Sequence, residues 1–404
     1  MDPMGIPCNI GNLPMAVPKT DSSLSCHHQP MRILHTDSSM GLGGQEYRVL
    51  LEAQGMEKRG HIVVVAAPQG SQLAVLAQQK GVQVRTTTSG NRAWMALIPS
   101  YLRMMKQCAI DVVNTHGSLD SWTASIAGRI SSRRPIIVRT RHKSTPISRT
   151  WRHRLLYGKL PHVITTTGEA VRQGLMTGIR LSPSRVISIP TGVDLERFHP
   201  QPPDASLRES LGLGSQGPLV GAVTFLRPEK GMAVLIESVR WLRQRFSTVE
   251  CVIIGDGGEQ ATLLDRIRGL GLEHCVHLIG FRQDVPALLA ILDVVVIPSF
   301  EEGIPQSLTQ ALAMERPVVA SAVGGVPEVV QDGLSGLLVP PRDPEILAQK
   351  IACLLSDPIA ATRMGKIGRQ VIHERFSMEH MLTQTESVYR QLMQAHSSVV
   401  VKRS

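Results

Sequence analysis

Two successive series of alternating strands and helices, joined by a Gly- and Pro-rich hinge, predict an α/β protein of two doubly wound, Rossmann-like domains facing across a cleft. Three observations carry this. Short β-branched apolar runs recur with room for a helix between them, the pattern of a parallel sheet buried on both faces. Several of these runs end in glycine-rich turns that open helices. The segment TGVDLERFHPQPP (191–203) breaks the chain near its midpoint, and 404 residues suffice for roughly two domains of ordinary size.

Composition narrows the class. A hydrophobic content of 42% and a charged content of 19% fit a folded protein, and aromatics at 3% require aliphatic cores. No apolar run approaches the roughly 20 residues of a membrane-spanning helix. The six cysteines are scattered without a CxxC pair, so they read as reduced thiols of a cytosolic protein, and no zinc site is expected. Net charge is +10, and the excess is local: residues 121–168 contain no Asp or Glu but ten Lys and Arg. Such a span attracts lipid headgroups, phosphorylated glycans or nucleic acid, and it also fits a merely solvated face. Trp122, Trp151 and Tyr157 are few aromatics for stacking bases, which weighs against nucleic acid.

In chain order, residues 1–30 are rich in Pro, Ser and His without periodicity, and lack the charged start and apolar core of a secretory signal. They read as a disordered tail or an over-long start, with Met31 as an alternative initiator. MRILHTD (31–37) is the first strand. It runs into SSMGLGGQE, where Gly43 and Gly44 precede a helix opening at Gln45, an arrangement that suits a phosphate or sugar near the backbone and equally a plain tight turn. HIVVVAA (61–67) is a strand, 71–80 a helix and 81–85 a strand. Residues 93–107 form an amphipathic helix that Pro99 kinks or splits, its apolar face belonging to the core or to a membrane surface. IDVVNT (110–115) is a strand ending at His116. A histidine there lies at the edge where open α/β sheets bind ligands, although a satisfied surface histidine fits as well. PIIVRT (135–140), HVITT (162–166) and VISIP (186–190) complete the first series.

In the second series, strands at 219–225, 250–254 and 276–279 run into RPEKG, GDGG and GFRQDV. DVVVIPSFEEGIPQSLTQALAMERPVVASAVGG (293–325) then reads as strand, loop, helix, strand, loop. Pro305 suits the first turn of that helix, where its missing N–H is no loss. A free helix N-terminus binds anions, and Gly303 lets the backbone approach a ligand. Glu302 on the loop and Gln310 two turns along the helix are placed to grip different hydroxyls of one ligand; the pattern also suits a capped helix with surface acids. GLLV (336–339) is the last strand, followed by helices from Pro344, at 358–375 and at 378–394.

From about Gly217 to Pro344 the sequence resembles the retaining glycosyltransferases of family 4, which have the GT-B fold. TGVDLERF, RPEKG, GDGGE, HLIGF, EEGIP, PVVAS, GGVPEVV and GLLVPPRDP occur in that family's order and spacing. The N-terminal half matches through GLGGQE and the strand ending in His116, and the whole resemblance covers roughly Met31 to His396. It implies an acceptor-binding domain at 31–200, a nucleotide-sugar domain at 201–375 and a C-terminal helix, 376–396, crossing back to the first. It implies transfer of a sugar from a nucleotide-diphosphate sugar with retention of configuration and without a metal or other cofactor. By residue, it assigns Lys230 to the phosphates, Glu302 to the donor sugar and His116 to the active site. The N–H groups at Gly303, Ile304 and the helix behind Pro305 would hold the diphosphate. Gly43 and Gly44 would close on the phosphates, the backbone of 279–283, including Phe281, would contact the base, and Gly255 would be a further substrate-binding position.

Two positions depart from the pattern. The family's second Glu is Gln310, and its phosphate Arg is Phe225, with Arg227 as the substitute three residues before Lys230. An amide still donates and accepts hydrogen bonds. These departures keep a non-catalytic binding protein open as a second reading, and a sugar-nucleotide epimerase as another. The leading expectation is a cytoplasmic enzyme, peripheral on the anionic inner membrane, that extends a lipid-linked or cell-envelope glycan.

Overall fold

The structure, a computed structural model, describes residues 29–41, 43–88, 95–142, 147, 149–214 and 217–401, with side chains through 396. Residues 1–28 of the N-terminal segment and Lys143 of the basic span lie outside the described residues. The first sheet has seven parallel strands: β1 (Arg32–Thr36), β2 (Ile62–Pro68), β3 (Gln83–Thr87), β4 (Val112–Thr115), β5 (Ile136–Arg141), β6 (Val163–Thr166) and β7 (Val186–Ser188), in the order β3-β2-β1-β4-β5-β6-β7. The second has six: β8 (Leu219–Val223), β9 (Glu250–Ile254), β10 (Val276–Leu278), β11 (Val294–Ile297), β12 (Val318–Ser321) and β13 (Leu337–Val339), in the order β10-β9-β8-β11-β12-β13. Every strand pair is parallel. Parallel pairing puts all the carboxyl ends of a sheet on one edge. Each order reverses once, between β1 and β4 and between β8 and β11, and such switch points open the crevices in which α/β proteins bind ligands.

The strands are buried because helices cover both faces, which is why they read as continuous apolar runs. Val220, Leu235, Val239, Cys251, Ile253 and Val294 meet on one face of the second sheet; Val252, Leu292, Val295, Leu308, Leu312 and Ile372 meet on the other. The chain passes from the first sheet to the second beside the point where it returns. Val193 N–H donates to Phe376 O at 2.8 Å, and Met378 N–H donates to Val193 O at 2.9 Å. The final helix, Met378–Val401, then lies on the first sheet's side, against the helix Gly44–Lys58. Leu382 packs where a side chain at Gly55 would stand. Arg59 pairs with Glu386 at 3.0 Å and with Glu379.

Some local expectations change. The helix expected over 93–107 spans Leu97–Gln107 among the described residues. Pro99 therefore falls in its first turn, where an N–H has no intrahelical partner, and it need not kink the helix. The helix's apolar side, with Leu97, Tyr101, Met104 and Met105, is buried, so this face is core and not a membrane surface. The helix after the glycine turn opens at Gly44, one residue earlier than expected. Between β5 and β6 the basic span forms a short helix, Trp151–His153, continued by a wide turn over Arg154–Lys159. Much of its charge is engaged internally. Arg139 is buried and donates to Gly117 O at 2.9 Å and Tyr157 Oη at 3.0 Å. Arg129 donates to Leu160 O and Lys159 O, and Arg149 to Gly178 O. No described helix is long and apolar enough to cross a membrane.

Candidate active site at the two switch points

At the second sheet's switch point, the loop after β11 meets the turn after β8. Glu302 Oε1 accepts from Lys230 Nζ at 2.7 Å and from Ser299 Oγ at 2.7 Å. The Lys230 side chain is 22% exposed and that of Glu302 9%. Beside them is a small open recess, lined among others by Val223, Thr224, Ile297, Ser299, Glu302 and Ser307. Local backbone fixes this meeting. Gly231, which follows Lys230, has φ +69°, and a Cβ there would collide with Pro298 O. Phe300 N–H donates to Glu229 O at 2.8 Å, tying the two loops together. Gly324 (φ +52°) lies so close beneath Glu302 O that no side chain fits, and Gly325 N–H donates to Gly303 O at 2.9 Å. The GG pair in the sequence is thus the floor of the EEGIP loop. The helix Gln306–Ala313 begins directly behind that loop, and Ser307 in its first turn lines the same recess as Glu302.

The remaining predicted residues fall at varied distances from this centre. Gln310 is half-buried on that helix. Arg227 is 64% exposed at its side chain, stacks on Phe225 at 5.8 Å and approaches Glu229 at 3.9 Å, so its cation lies outside the Lys230–Glu302 pair. Phe281 is 62% exposed, and Gly255 N–H donates to Gly280 O at 2.8 Å. Gly43 N–H is taken by Glu46 Oε2 at 2.7 Å, whereas Gly44 stands exposed at the helix start.

The first sheet's switch point holds a chain of three imidazoles. His35 on β1, His116 just past β4 and His142 just past β5 are linked by His35 Nδ1···His116 Nε2 and His116 Nδ1···His142 Nε2, both 3.0 Å. His116 is buried and has both ring nitrogens engaged, while His142 is half-buried. Burial, with His35, His142, Arg48 and Arg139 nearby, holds His116 well below the ordinary histidine range. Burial and the arginines Arg48, Arg139 and Arg141 do the same to His142, and burial lowers His35 against the pull of Glu52. All three are neutral near pH 7.

Next to them Asp120 caps the helix Ser118–Ile130, accepting from Thr36 Oγ1 at 2.8 Å, Ser38 Oγ at 2.9 Å and His116 N–H at 3.2 Å. Burial first, then the charge of Asp120, raises Asp37 to about 7. Asp37, Asp120, Tyr101 and Thr87 line a second small recess.

The two centres touch. Where Gly303 would carry a Cβ, His142 O is 3.8 Å away and Thr167 Oγ1 3.9 Å. Glu328, just past Gly325, accepts from Glu169 N–H at 2.7 Å and Ala170 N–H at 2.8 Å, capping a helix of the opposite sheet. Sequence reasoning missed His35, His142, Ser299 and Glu328 as members of this site. Nothing local marks His35, His142 and Glu328, since each matters through a partner 26 to 159 residues away, whereas Ser299 lies only three residues before Glu302 in the same loop. It also missed Arg342, whose guanidinium lies 3.7 Å from the centre of the Phe300 ring. Among the described residues no three His, Cys, Asp or Glu side chains are grouped to hold a metal ion.

Comparison with known proteins agrees with this architecture. The family model "Glycosyl transferases group 1" matches residues 204–371, and "Glycosyltransferase Family 4" matches 42–197. The GDP-mannose-dependent alpha-(1-6)-phosphatidylinositol monomannoside mannosyltransferase of Mycolicibacterium smegmatis is 34% identical over 235 residues, 55% of this chain and 60% of that protein. The D-inositol 3-phosphate glycosyltransferase of Salinispora arenicola is 36% identical over 191 residues, 43% of each. The chain thus spans about half the length of the curated relatives it matches. A glycosyltransferase structure from Rickettsia africae superposes with a TM-score of 0.81 at 19% identity, covering 91% of this chain and 99% of that one. With two doubly wound parallel sheets meeting at their switch points, and a family model on each half, the chain belongs to the group 1, family 4 glycosyltransferases of GT-B fold.

Proposed function

We propose that this protein transfers a sugar, with retention of configuration, from a nucleotide-diphosphate sugar to a lipid-linked or cell-envelope glycan. The donor sits on the second domain, residues 201–375, and the acceptor on the first, residues 31–200, with 376–396 tying back to the first. The observation that carries the reading is the Lys230–Glu302 pair on the loops that meet at the second sheet's switch point, beside a recess that the first turn of the helix Gln306–Ala313 also lines.

Transfer breaks the bond from the sugar's anomeric carbon to the diphosphate oxygen and forms one from that carbon to an acceptor hydroxyl oxygen, whose proton passes to the leaving diphosphate. The leaving diphosphate gains negative charge, and a fixed cation and N–H dipoles aimed at it lower the barrier. In this reading Lys230 and the N–H groups of Gly303 and Ile304 hold the diphosphate, with Arg227 as a second cation. Glu302 accepts from a donor-sugar hydroxyl, and Gln310 bonds the ribose. Gly255 and Phe281 lie toward the base, Gly43 and Gly44 close on the phosphates, and His116 supports the sugar from the opposite domain. No metal or other cofactor takes part. The 34% identity to a mannosyltransferase of a phosphatidylinositol mannoside supports the donor and acceptor classes.

Membrane association belongs to the same reading. Trp151 is 70% exposed beside the exposed Arg152 and Arg154, a pairing suited to the cytoplasmic surface of an anionic inner membrane. Flotation with anionic vesicles tests it; the expected binding weakens with salt, and its absence removes the membrane from the proposal.

The central test is a thermal-shift screen of UDP, GDP, ADP and CMP and their sugar conjugates, since a ligand of the folded state raises the melting temperature. One nucleotide should stand out, and its sugar conjugate should then support transfer. A folded protein that responds to none of them refutes the proposal in favour of a non-catalytic role.

A further inference from the structure

We propose that Arg197 is a positioning residue for the donor: its guanidinium fork straps loop 279–283 of the second domain to the helix Gly44–Lys58 of the first, across the hinge. The proposal rests on the glycosyl-transfer reading for what those two elements hold, and on geometry for the strap itself.

The chain crosses between the domains at Gly192. Ile189 belongs to a core of the first sheet and Val193 to one of the second. A Cβ on Gly192 would collide with Met378, so the outgoing and returning passages of the chain touch there. Two consecutive residues of the helix Gly44–Lys58 reach the two sides of this crossing. Arg48 is buried and donates from Nη1 to Ile189 O at 2.6 Å and to Thr191 Oγ1 at 3.3 Å, which fixes the helix to the first-domain side. Tyr47 is half-buried, and its Oη accepts from Arg197 Nη1 at 2.9 Å. Arg197 belongs to the second-domain side. Its N–H donates to Asp194 Oδ1 at 3.2 Å, and the next residue, Phe198, is buried in the second core. A rotation about Gly192 keeps the Arg48 bonds within one body and puts the Tyr47–Arg197 bond between two.

The other arm of the fork holds the loop. Arg197 Nη2 donates to Gln283 O at 3.2 Å, two residues past Phe281. Tyr47 stands three residues past Gly44. One planar side chain therefore touches, through separate nitrogens, the loop proposed to contact the base and the helix whose opening turn is proposed to close on the phosphates. Both partners are neutral oxygens, and among the described residues no carboxylate pairs with Arg197. The fixed geometry of the fork, rather than its charge, makes the link. A lysine keeps the charge but offers a point donor on a flexible stem, which does not span both oxygens. The guanidinium carbon lies 5.2 Å from the centre of the Phe198 ring, so the fork is held in place before any ligand arrives. Arg197 acts through Tyr47 and Gln283. Without it the two elements keep their own chemistry and lose their relative placement, on which the rate of an oriented reaction depends.

The test uses Tyr47→Phe, Arg197→Lys and the double variant of the full chain. Amide hydrogen exchange without ligand should quicken about threefold or more over 279–285 in Tyr47→Phe, although that residue lies in the other domain, since it loses one solvent-exposed hydrogen bond. The double variant should exchange no faster there than Arg197→Lys. With the nucleotide sugar that thermal shift identifies, each single variant should lower kcat/KM about 3–10-fold, and the double variant should lose no more than Arg197→Lys, because both substitutions cut one link. The melting temperature should fall by no more than about 4 °C. Wild-type exchange over 279–285 in Tyr47→Phe overturns the strap, and so do losses that multiply in the double variant. Wild-type kinetics in Arg197→Lys overturn the fork. Quickened exchange with unchanged kcat/KM, or a collapse of the melting temperature, overturns the positioning role. The exchange readout needs no turnover, so failure of the glycosyl-transfer reading and failure of this proposal are seen in different experiments.

Discussion

Replacing Lys230 by Met removes a charge but keeps most of the side chain's length. In the structure its ammonium sits 2.7 Å from Glu302, and the Glu302 side chain is only 9% exposed. Losing one partner strands a mostly buried carboxylate with Ser299 as its remaining donor. The stability cost of a lost charge-assisted bond is about 1.5–3 kcal/mol. For domains of this size that is a fall of about 3–12 °C in melting temperature, so the variant stays folded at 25 °C. Activity should fall much further. A preorganised donor aimed at developing negative charge contributes about 10²–10³ in kcat. Adding Glu302→Gln separates the two effects. Removing the second charge leaves no unpaired ion, so the double variant should regain most of the melting temperature lost by Lys230→Met. Under the proposed function it should regain none of the activity, because neither the proposed phosphate cation nor the proposed sugar acceptor is restored. Differential scanning fluorimetry and initial rates with the nucleotide sugar found by screening measure both. If rate follows melting temperature across the single and double variants, Lys230 and Glu302 are structural and the site is misplaced.

Three further outcomes are expected. Gln310→Glu restores the family's second carboxylate and should preserve or raise kcat/KM; a loss of tenfold or more in steady-state kinetics would show that Gln310 does not face the donor. Glu328→Ala removes the bidentate cap that joins the two halves. It should lower stability by about 1–3 kcal/mol and enlarge the radius of gyration in small-angle scattering, with Glu328→Gln in between; unchanged scattering and melting would refute the latch. Asp37 titrates higher when folded, near 7, than the ordinary carboxylate value of 3.8, chiefly through burial and then the charge of Asp120. The folded state thus binds the extra proton between those values, so this contribution is present at low pH and is lost as pH rises through 7. Asp37→Asn should therefore raise the melting temperature more at pH 8 than at pH 5, and a pH-independent difference would contradict the raised value.

The sequence by itself determined the architecture and singled out the two loops that carry Lys230 and Glu302. Runs such as VVVI at 294–297 and ECVII at 250–254 are apolar at every position because both faces of a parallel sheet are covered. Their ends are legible too, since turns need glycine where the backbone crowds: Gly231 against Pro298, and Gly324 beneath Glu302. The centre of Lys230 and Glu302 was legible because loops at strand ends carry their own local chemistry. What only the tertiary structure decided is whatever depends on the order of strands across a sheet. His35, His116 and His142 are 81 and 26 residues apart, and they meet because β1, β4 and β5 are neighbours with their carboxyl ends aligned. Without that order, His116 reads as a lone histidine at a strand end. Likewise, Glu328 caps a helix that begins 159 residues earlier, and Arg139 lies buried beneath Tyr157 although the sequence shows only a basic span. Apolar periodicity reports which side of an element is covered, a property of each segment. Which polar groups satisfy one another inside depends on which segments become neighbours, and no single segment carries that information.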